Sequence, residues 1–215
     1  MAVVIPLPAE GSSSDWGPIA RILQGGGVIA MPTESFYALG ANPLDPTAIR
    51  RVWAIKGRPA GMPILVVIAD RDQLATFVAA VTPAAEALIE RFWPGPLTVI
   101  LPAASRVPET LTAGTGTVGI RLTAARLLAR LLQAVGPLTG TSANRSGAPP
   151  VRSAEEVQAT LGGDVDLIVD GGLTYGGQTS TVVDAVGPVR VIREGPISRA
   201  QIAAALAGAG LALAT

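Results

Sequence analysis

Pro63-Ile64-Leu65-Val66-Val67-Ile68-Ala69 is an aliphatic run with no polar interruption. A strand with one wet face alternates polar and apolar side chains, whereas a strand covered on both faces reads as a continuous apolar run. Residues 63–69 therefore predict a strand with packed layers on either side. Helical patterns flank it. Before it, Pro46–Lys56 carries proline near the first turn and Ile49, Val52 and Trp53 on one face. After it, residues 72–81 and Pro83–Phe92 have helical spacing. Further strands are expected at 28–31, 97–101, 118–122, 166–170, 181–185 and 189–193. Further helices are expected from a cap at Asp15, from a cap at Thr123, and from the Ser153/Glu156 capping-box pair to Leu161. Strands alternating with helices predict a layered α/β domain. Several connections are too short for a purely parallel sheet, so a mixed, twisted β-sheet covered by helices is expected.

The composition narrows the chemistry. The chain has 215 residues, 49% of them hydrophobic but only 4% aromatic, so the core must be aliphatic. Sixteen basic residues balance sixteen acidic ones, which argues against a protein held to nucleic acid by bulk charge. Histidine and cysteine are both absent. Disulfides, thiolate nucleophiles, the usual zinc sites and histidine general bases are thereby excluded. Residues 1–6 lack a basic leader and break at Pro6, and the apolar tail at 200–215 is interrupted by glycine and falls short of the ~18 residues of a membrane span. A cytoplasmic, soluble protein without a membrane partner is expected.

Lys56-Gly57-Arg58-Pro59 stands out because Lys56 is the only lysine in the chain. Lysine acts as a point charge and arginine as a planar fork, so the pair suits different parts of one anion. A solvated basic turn at a helix end fits these four residues equally well. With this one, five polar clusters fall at ends of predicted strands: residues 32–34, 56–58, 115–117, 140–144 and 179–181. They are rich in hydroxyls, glycine and asparagine, which suit phosphate oxygens, ribose or the ends of an amino acid. No Walker A sequence and no G-x-G-x-x-G follow the first strand. Paired carboxylates have no candidate beyond Glu34 and Asp184, which no local spacing brings together.

Taken in order, these segments resemble the YrdC/Sua5 family. Residues 32–40 (Pro32-Thr33-Glu34-Ser35-Phe36-Tyr37-Ala38-Leu39-Gly40) look like its P-T-E-T-x-Y-G-L-G opening, and Lys56-Gly57-Arg58-Pro59 like its K-x-R-P signature. Phe92-Trp93-Pro94-Gly95-Pro96-Leu97-Thr98 matches F-W-P-G-P-L-T in full. Thr117-Val118-Gly119-Ile120-Arg121 is similar to T-V-A-V-R, Ser142-Ala143-Asn144-Arg145-Ser146-Gly147 to S-A-N-x-S-G, Ser180-Thr181-Val182-Val183-Asp184 to S-T-V-V-D, and Arg193-Glu194-Gly195 to R-x-G. The main departures from the pattern are Met62 and Val67, which stand where many members have asparagine and histidine; Ala38 for glycine and Thr179 for glutamate are smaller ones.

The resemblance implies one three-layer YrdC-like domain of the α+β type over residues 1–215, with the motifs within about 15–200 and no additional C-terminal Sua5 domain. It implies L-threonylcarbamoyladenylate synthesis from L-threonine, bicarbonate or CO2, and ATP, with pyrophosphate released. That product supplies the t6A modification of tRNA through a downstream transferase machinery; a direct tRNA contact is left open. Magnesium is implied with ATP as substrate, without a protein metal site. By the same resemblance Lys56 and Arg58 are the catalytic cations. ATP is held by Lys56, Arg58, Thr117, Ser142, Asn144 and Arg193, and threonine by Thr33, Tyr37, Arg121, Thr141 and Ser180. The competing expectations are an RNA-binding module of the same fold and a paralogue without this synthase activity; scarce aromatics weigh against the first, since single-strand readers stack bases on aromatic rings.

Overall fold

The computed structural model describes residues 1–7, 15–57 and 62–214. In chain order the first half comprises β1 (Val3–Pro6), α1 (Gly17–Gln24), β2 (Ile29–Pro32), β3 (Tyr37–Gly40), α2 (Pro46–Lys56), β4 (Val66–Ile68), α3 (Leu74–Phe77), α4 (Pro83–Phe92) and β5 (Leu97–Pro102). The second half comprises α5 (Glu109–Thr112), β6 (Thr117–Leu122), α6 (Arg126–Val135), β7 (Leu138–Thr139), β8 (Thr141–Ser142), α7 (Ala154–Leu161), β9 (Leu167–Asp170), β10 (Thr181–Asp184), β11 (Arg190–Arg193) and α8 (Arg199–Gly208).

The mixed α/β class expected from the sequence holds, but the strands divide into two sheets. One has the order β1-β9-β2-β3-β8 and the other β11-β10-β5-β6-β4-β7. Each combines parallel with antiparallel pairs. The chain crosses from one sheet to the other at Gly140. Just before it β7 pairs with β4, and just after it β8 pairs with β3. A Cβ at Gly140 would lie 2.3 Å from Val67 Cγ2 and 2.8 Å from Leu65 Cδ1, so only glycine lets the two sheets approach here.

The run at 63–69 is central, as its composition demands: β4 lies between β6 and β7. Its paired part is only Val66–Ile68, because Leu65 and Ile64 make isolated bonds to Gly140 and Leu111 instead of joining a ladder. Its two faces enter different cores. Val66 and Ile68 pack with Val99, Val118, Ile120 and α2, while Val67 packs with Met31, Ala38, Leu128 and Leu138. The same period-two division runs along β2, whose Ile29 and Met31 face the α1/α6 side and whose Ala30 faces the other.

α2 and α4 have the predicted bounds. Asp45 and Thr82 cap them by accepting from Thr47 N and Ala85 N, and Gly57 ends α2 in the left-handed region at φ 61°. The helix expected over 72–81 shrinks to a 3₁₀ turn at Arg71–Gln73 and α3. Beyond Phe77 the chain turns extended, because Val78 bridges Ala103 and Ala79 N donates to Pro102 O. The N-cap of α6 is Ala125, whose N–H is shared between Thr123 Oγ1 at 3.1 Å and Glu34 Oε1 at 3.2 Å, while Ala124 N donates to Glu34, from far along the chain. The apolar tail contains α8, opened by a Ser198/Gln201 capping box and buried through Ile202 and Leu206. Among the described residues no helix is long and apolar enough to cross a membrane.

Candidate active site

The pocket floor follows from strand alternation. Along β6 Thr117, Gly119 and Arg121 face one way, while Val118 and Ile120 are buried in the core on the other. In-register neighbours continue that face. Ile100 lies opposite Gly119, Val67 opposite Arg121, and Thr98 beside Val182. The loop 33–36 and residues 140–142 form the opposite wall, enclosing a pocket of about 460 Å³. That volume lies within the range of small-molecule sites. The lining combines apolar side chains (Leu65, Val67, Ile100, Leu128) with hydroxyls and two guanidinium groups.

Arg121 is held at two points. Its Nε donates to Gly95 O at 3.2 Å, and its Nη2 lies 2.8 Å from Glu34 Oε2. Among the described residues nothing else bonds it, so Nη1 remains for a ligand. The Phe92–Thr98 motif serves this placement: Gly95 N also docks on Leu122 O, locking the turn against the end of β6. Glu34 Oε1 accepts from Thr123 Oγ1 at 2.8 Å, Ala124 N at 2.7 Å and Ala125 N at 3.2 Å. Burial alone would push this carboxyl up. The Arg121 charge and these hydrogen bonds outweigh it and hold Glu34 below its ordinary value.

Arg193 reaches the pocket from β11. Its Nε and Nη2 donate to Ser180 O at 3.1 and 2.8 Å, and Nη2 approaches Ser180 Oγ at 3.3 Å. Ser180 Oγ in turn shares a 2.8 Å hydrogen bond with Thr98 Oγ1. Loss of hydration, and then the Arg121 charge, lower the Arg193 pKa, so the two cations feel each other. Gly195 permits this arrangement, since a Cβ there would fall 2.2 Å from Thr179 O.

Lys56 is not at the pocket wall. It is 1% exposed, with Nζ donating to Ser142 O at 2.6 Å and Asn144 Oδ1 at 2.7 Å, and approaching Ser142 Oγ at 3.3 Å. Its main-chain oxygen accepts from Ser146 N at 2.8 Å, so Lys56 pins the 142–146 turn from both ends. Arg58 and Pro59 lie outside the described residues. Asn144 is buried behind Ser142 and bonds Ala148 O.

Of the residues expected from the sequence, Thr33, Tyr37, Arg121, Thr141, Ser180, Thr117, Ser142 and Arg193 share the one pocket. Thr33 Oγ1 is engaged with Phe36 O at 2.7 Å, and Thr117 Oγ1 with Thr115 Oγ1 at 3.0 Å. Tyr37 also lines the pocket, and its buried hydroxyl donates to Gly172 O at 2.9 Å and accepts from Gly171 N at 3.1 Å. It ties the glycine-rich 171–177 segment to β3. Val67 and Met62, the main departures from the family pattern, both line the pocket, Val67 directly beside Arg121. Sequence reasoning missed Thr98, Gly119 and the role of Glu34. The alternation of Thr117-Val118-Gly119-Ile120-Arg121 was the available signal for Gly119; for the Glu34–Arg121 pairing there was none.

The pocket brings hydroxyls and two guanidinium groups together, the groups that suit small anionic molecules. The chain belongs to the Sua5/YciO/YrdC family, described as "Telomere recombination", whose profile matches residues 21–195. It is 44% identical over 164 residues to a protein of Thiobacillus denitrificans named threonylcarbamoyl-AMP synthase, covering 75% of this chain and 86% of that one. It is 41% identical over 166 residues to a Pyrococcus abyssi protein of the same name, covering 77% of this chain and 49% of that one. The P. abyssi Sua5 crystal structure in complex with L-threonine superposes with a TM-score of 0.85 at 34% identity, over 96% of this chain and 61% of that one. The chain thus matches about half the length of the Pyrococcus protein and most of the Thiobacillus one.

Proposed function

We propose that this chain is a threonylcarbamoyl-AMP synthase, making L-threonylcarbamoyladenylate and pyrophosphate from L-threonine, bicarbonate or CO2, and ATP. The reading rests above all on one observation. Arg121, with one guanidinium nitrogen unoccupied, and Arg193 share a single pocket lined by hydroxyls. The names of the relatives and the threonine bound to the P. abyssi structure support it.

The chemistry needs no enzyme nucleophile. The neutral amine of threonine adds its lone pair to the carbon of CO2 and loses a proton, giving a carbamate. A carbamate oxygen then attacks the α-phosphorus of ATP as the bond to the β-phosphate oxygen breaks, and pyrophosphate leaves. Reactions of this kind gain from holding the partners in line; effective molarity contributes about 7–11 kcal/mol when the geometry is good. Arg121 is assigned to the α-carboxylate of threonine, with Thr33, Thr141 and Ser180 beside it. Arg193, Thr117 and Ser142 are assigned to the phosphates, where charge builds on the leaving group. Lys56 and Asn144 shape the Ser142 turn from behind, and Arg58 is carried here on the sequence resemblance alone.

Magnesium enters this reading as Mg-ATP, a substrate complex that shares the triphosphate charge. The pocket-lining carboxylate, Glu34, is committed to Arg121. The adenylate product would pass to the transferase that forms t6A on tRNA. The test is pyrophosphate release by the purified chain with bicarbonate, Mg-ATP and pyrophosphatase, with and without L-threonine. Release that needs threonine supports the assignment, and equal release without it overturns it.

A further inference from the structure

Glu34 touches neither end of the proposed reaction, yet it sits where the two ends could be confused. Arg121 and Arg193 face the same pocket. Both are guanidiniums, and a polyphosphate would attract either. What differs is their partners. Arg193 donates to Ser180, a neutral residue, and has no ion pair among the described residues. Arg121 carries a carboxylate 2.8 Å from Nη2. We propose that Glu34 is a positioning and selectivity residue that divides the pocket into an amino-acid end and a phosphate end, by fixing Arg121 and cancelling most of its charge.

The division follows from how repulsion scales. A ligand carboxylate reaching Arg121 Nη1 meets the negative Glu34 with one charge, whereas a pyrophosphate or triphosphate group meets it with two or more. Like charge placed beside an attractive group rejects the wrong ligand more than it weakens the right one. Glu34 is held for this purpose by three donors at the entrance to α6, a helix whose own N-cap residue, Ala125, supplies no side-chain bond. It thereby bridges the β2–β3 loop of one sheet to β6 of the other. A general-base role fits poorly, because Oε2 is sealed from solvent beside Arg121 and a carboxyl held below its ordinary pKa is a weak proton acceptor.

This inference rests on the reading of Arg121 as the threonine carboxylate site. Glu34→Gln keeps the anchor at α6, since the amide oxygen still accepts from Thr123, Ala124 and Ala125, but it turns an NH2 toward Arg121 Nη2 and so removes both the opposing charge and the contact that fixes Arg121. Calorimetric titration of the full chain with L-threonine and, separately, with inorganic pyrophosphate is the experiment. For Glu34→Gln we expect a folded protein with a melting temperature modestly below wild type near neutral pH, threonine binding weakened about tenfold because Arg121 loses its anchor, and pyrophosphate that now displaces threonine. The KM for threonine should rise by the same factor while kcat at saturating threonine stays within a few-fold. Glu34→Ala should show the same selectivity change with a still lower melting temperature. Glu34→Gln with wild-type threonine affinity and no competition from pyrophosphate overturns the inference alone. A wild-type chain that binds no threonine overturns the functional reading and this inference with it.

Discussion

Lys56→Met is the substitution on which the burial of Lys56 makes the sharpest demand. Methionine fills a similar volume but takes away the donors at Ser142 O and Asn144 Oδ1, 2.6 and 2.7 Å from the ammonium. Hydrogen bonds to a charged group contribute about 1.5–3 kcal/mol each, so roughly 3–6 kcal/mol of attraction disappears. Against that, the variant no longer strips water from a buried ammonium, which returns several kcal/mol. Each acceptor loses one donor and keeps another, Ser142 O from Asn144 N and Asn144 Oδ1 from Ser142 Oγ, and the net loss comes to about 2–4 kcal/mol. For a chain of this size that lowers the melting temperature by roughly 4–16 °C. Ser142 lines the pocket, and a turn displaced by ~1 Å can slow a positioned reaction about a hundredfold. Urea unfolding and threonine-dependent pyrophosphate release, measured on the same preparations, check both numbers. A variant as stable as wild type but inactive would refute the argument, because the ammonium would then act on the substrate and not on the Ser142–Asn144 turn.

Arg121→Gln should raise the KM for threonine about 10–100-fold, the loss expected for one charged hydrogen-bonding contact, while the KM for ATP changes only a few-fold; steady-state kinetics with each substrate varied decides it. Gly140→Ala pushes a methyl to 2.3 Å from Val67 Cγ2 and should destabilise by about 1–3 kcal/mol in denaturant titration, with Val67→Ala in the same chain restoring part of the loss. Acid unfolding reports on Glu34, whose pKa is depressed from the ordinary 4.5. A depressed carboxyl adds stability above its unfolded value and loses it as pH falls through the folded one. The melting-temperature gap between wild type and Glu34→Gln should therefore be constant from about pH 6 to 8 and close below about pH 4.5.

Much of this protein was legible in the residues. The aliphatic run at 63–69 required a strand covered on both faces, and β4 is one. Pro46–Lys56 and Pro83–Phe92 carried their caps and their apolar faces locally, so their bounds could be read directly. The missing histidine and cysteine already confined the chemistry to position and charge. The motif segments picked out eight residues that share one pocket, because strand ends gather loops wherever the sheet directs them.

Tertiary structure decided the rest, and in each case a long-range contact outweighed the local pattern. The helical spacing at 72–81 gives way after Phe77 because pairing with Ala103 satisfies the backbone of Val78 and its neighbours. Strands β7 and β8 are two residues each and exist only because β4 and β3 pair with them across the Gly140 crossing. Lys56 looks from its neighbours like a solvated helix-end cation. It is buried because the 142–146 turn folds over it and offers carbonyl, amide and hydroxyl oxygens. Glu34 and Arg121 carry no spacing that announces a pair. Residue types set what these side chains could do, but only the packing of one sheet against the other set which of them meet.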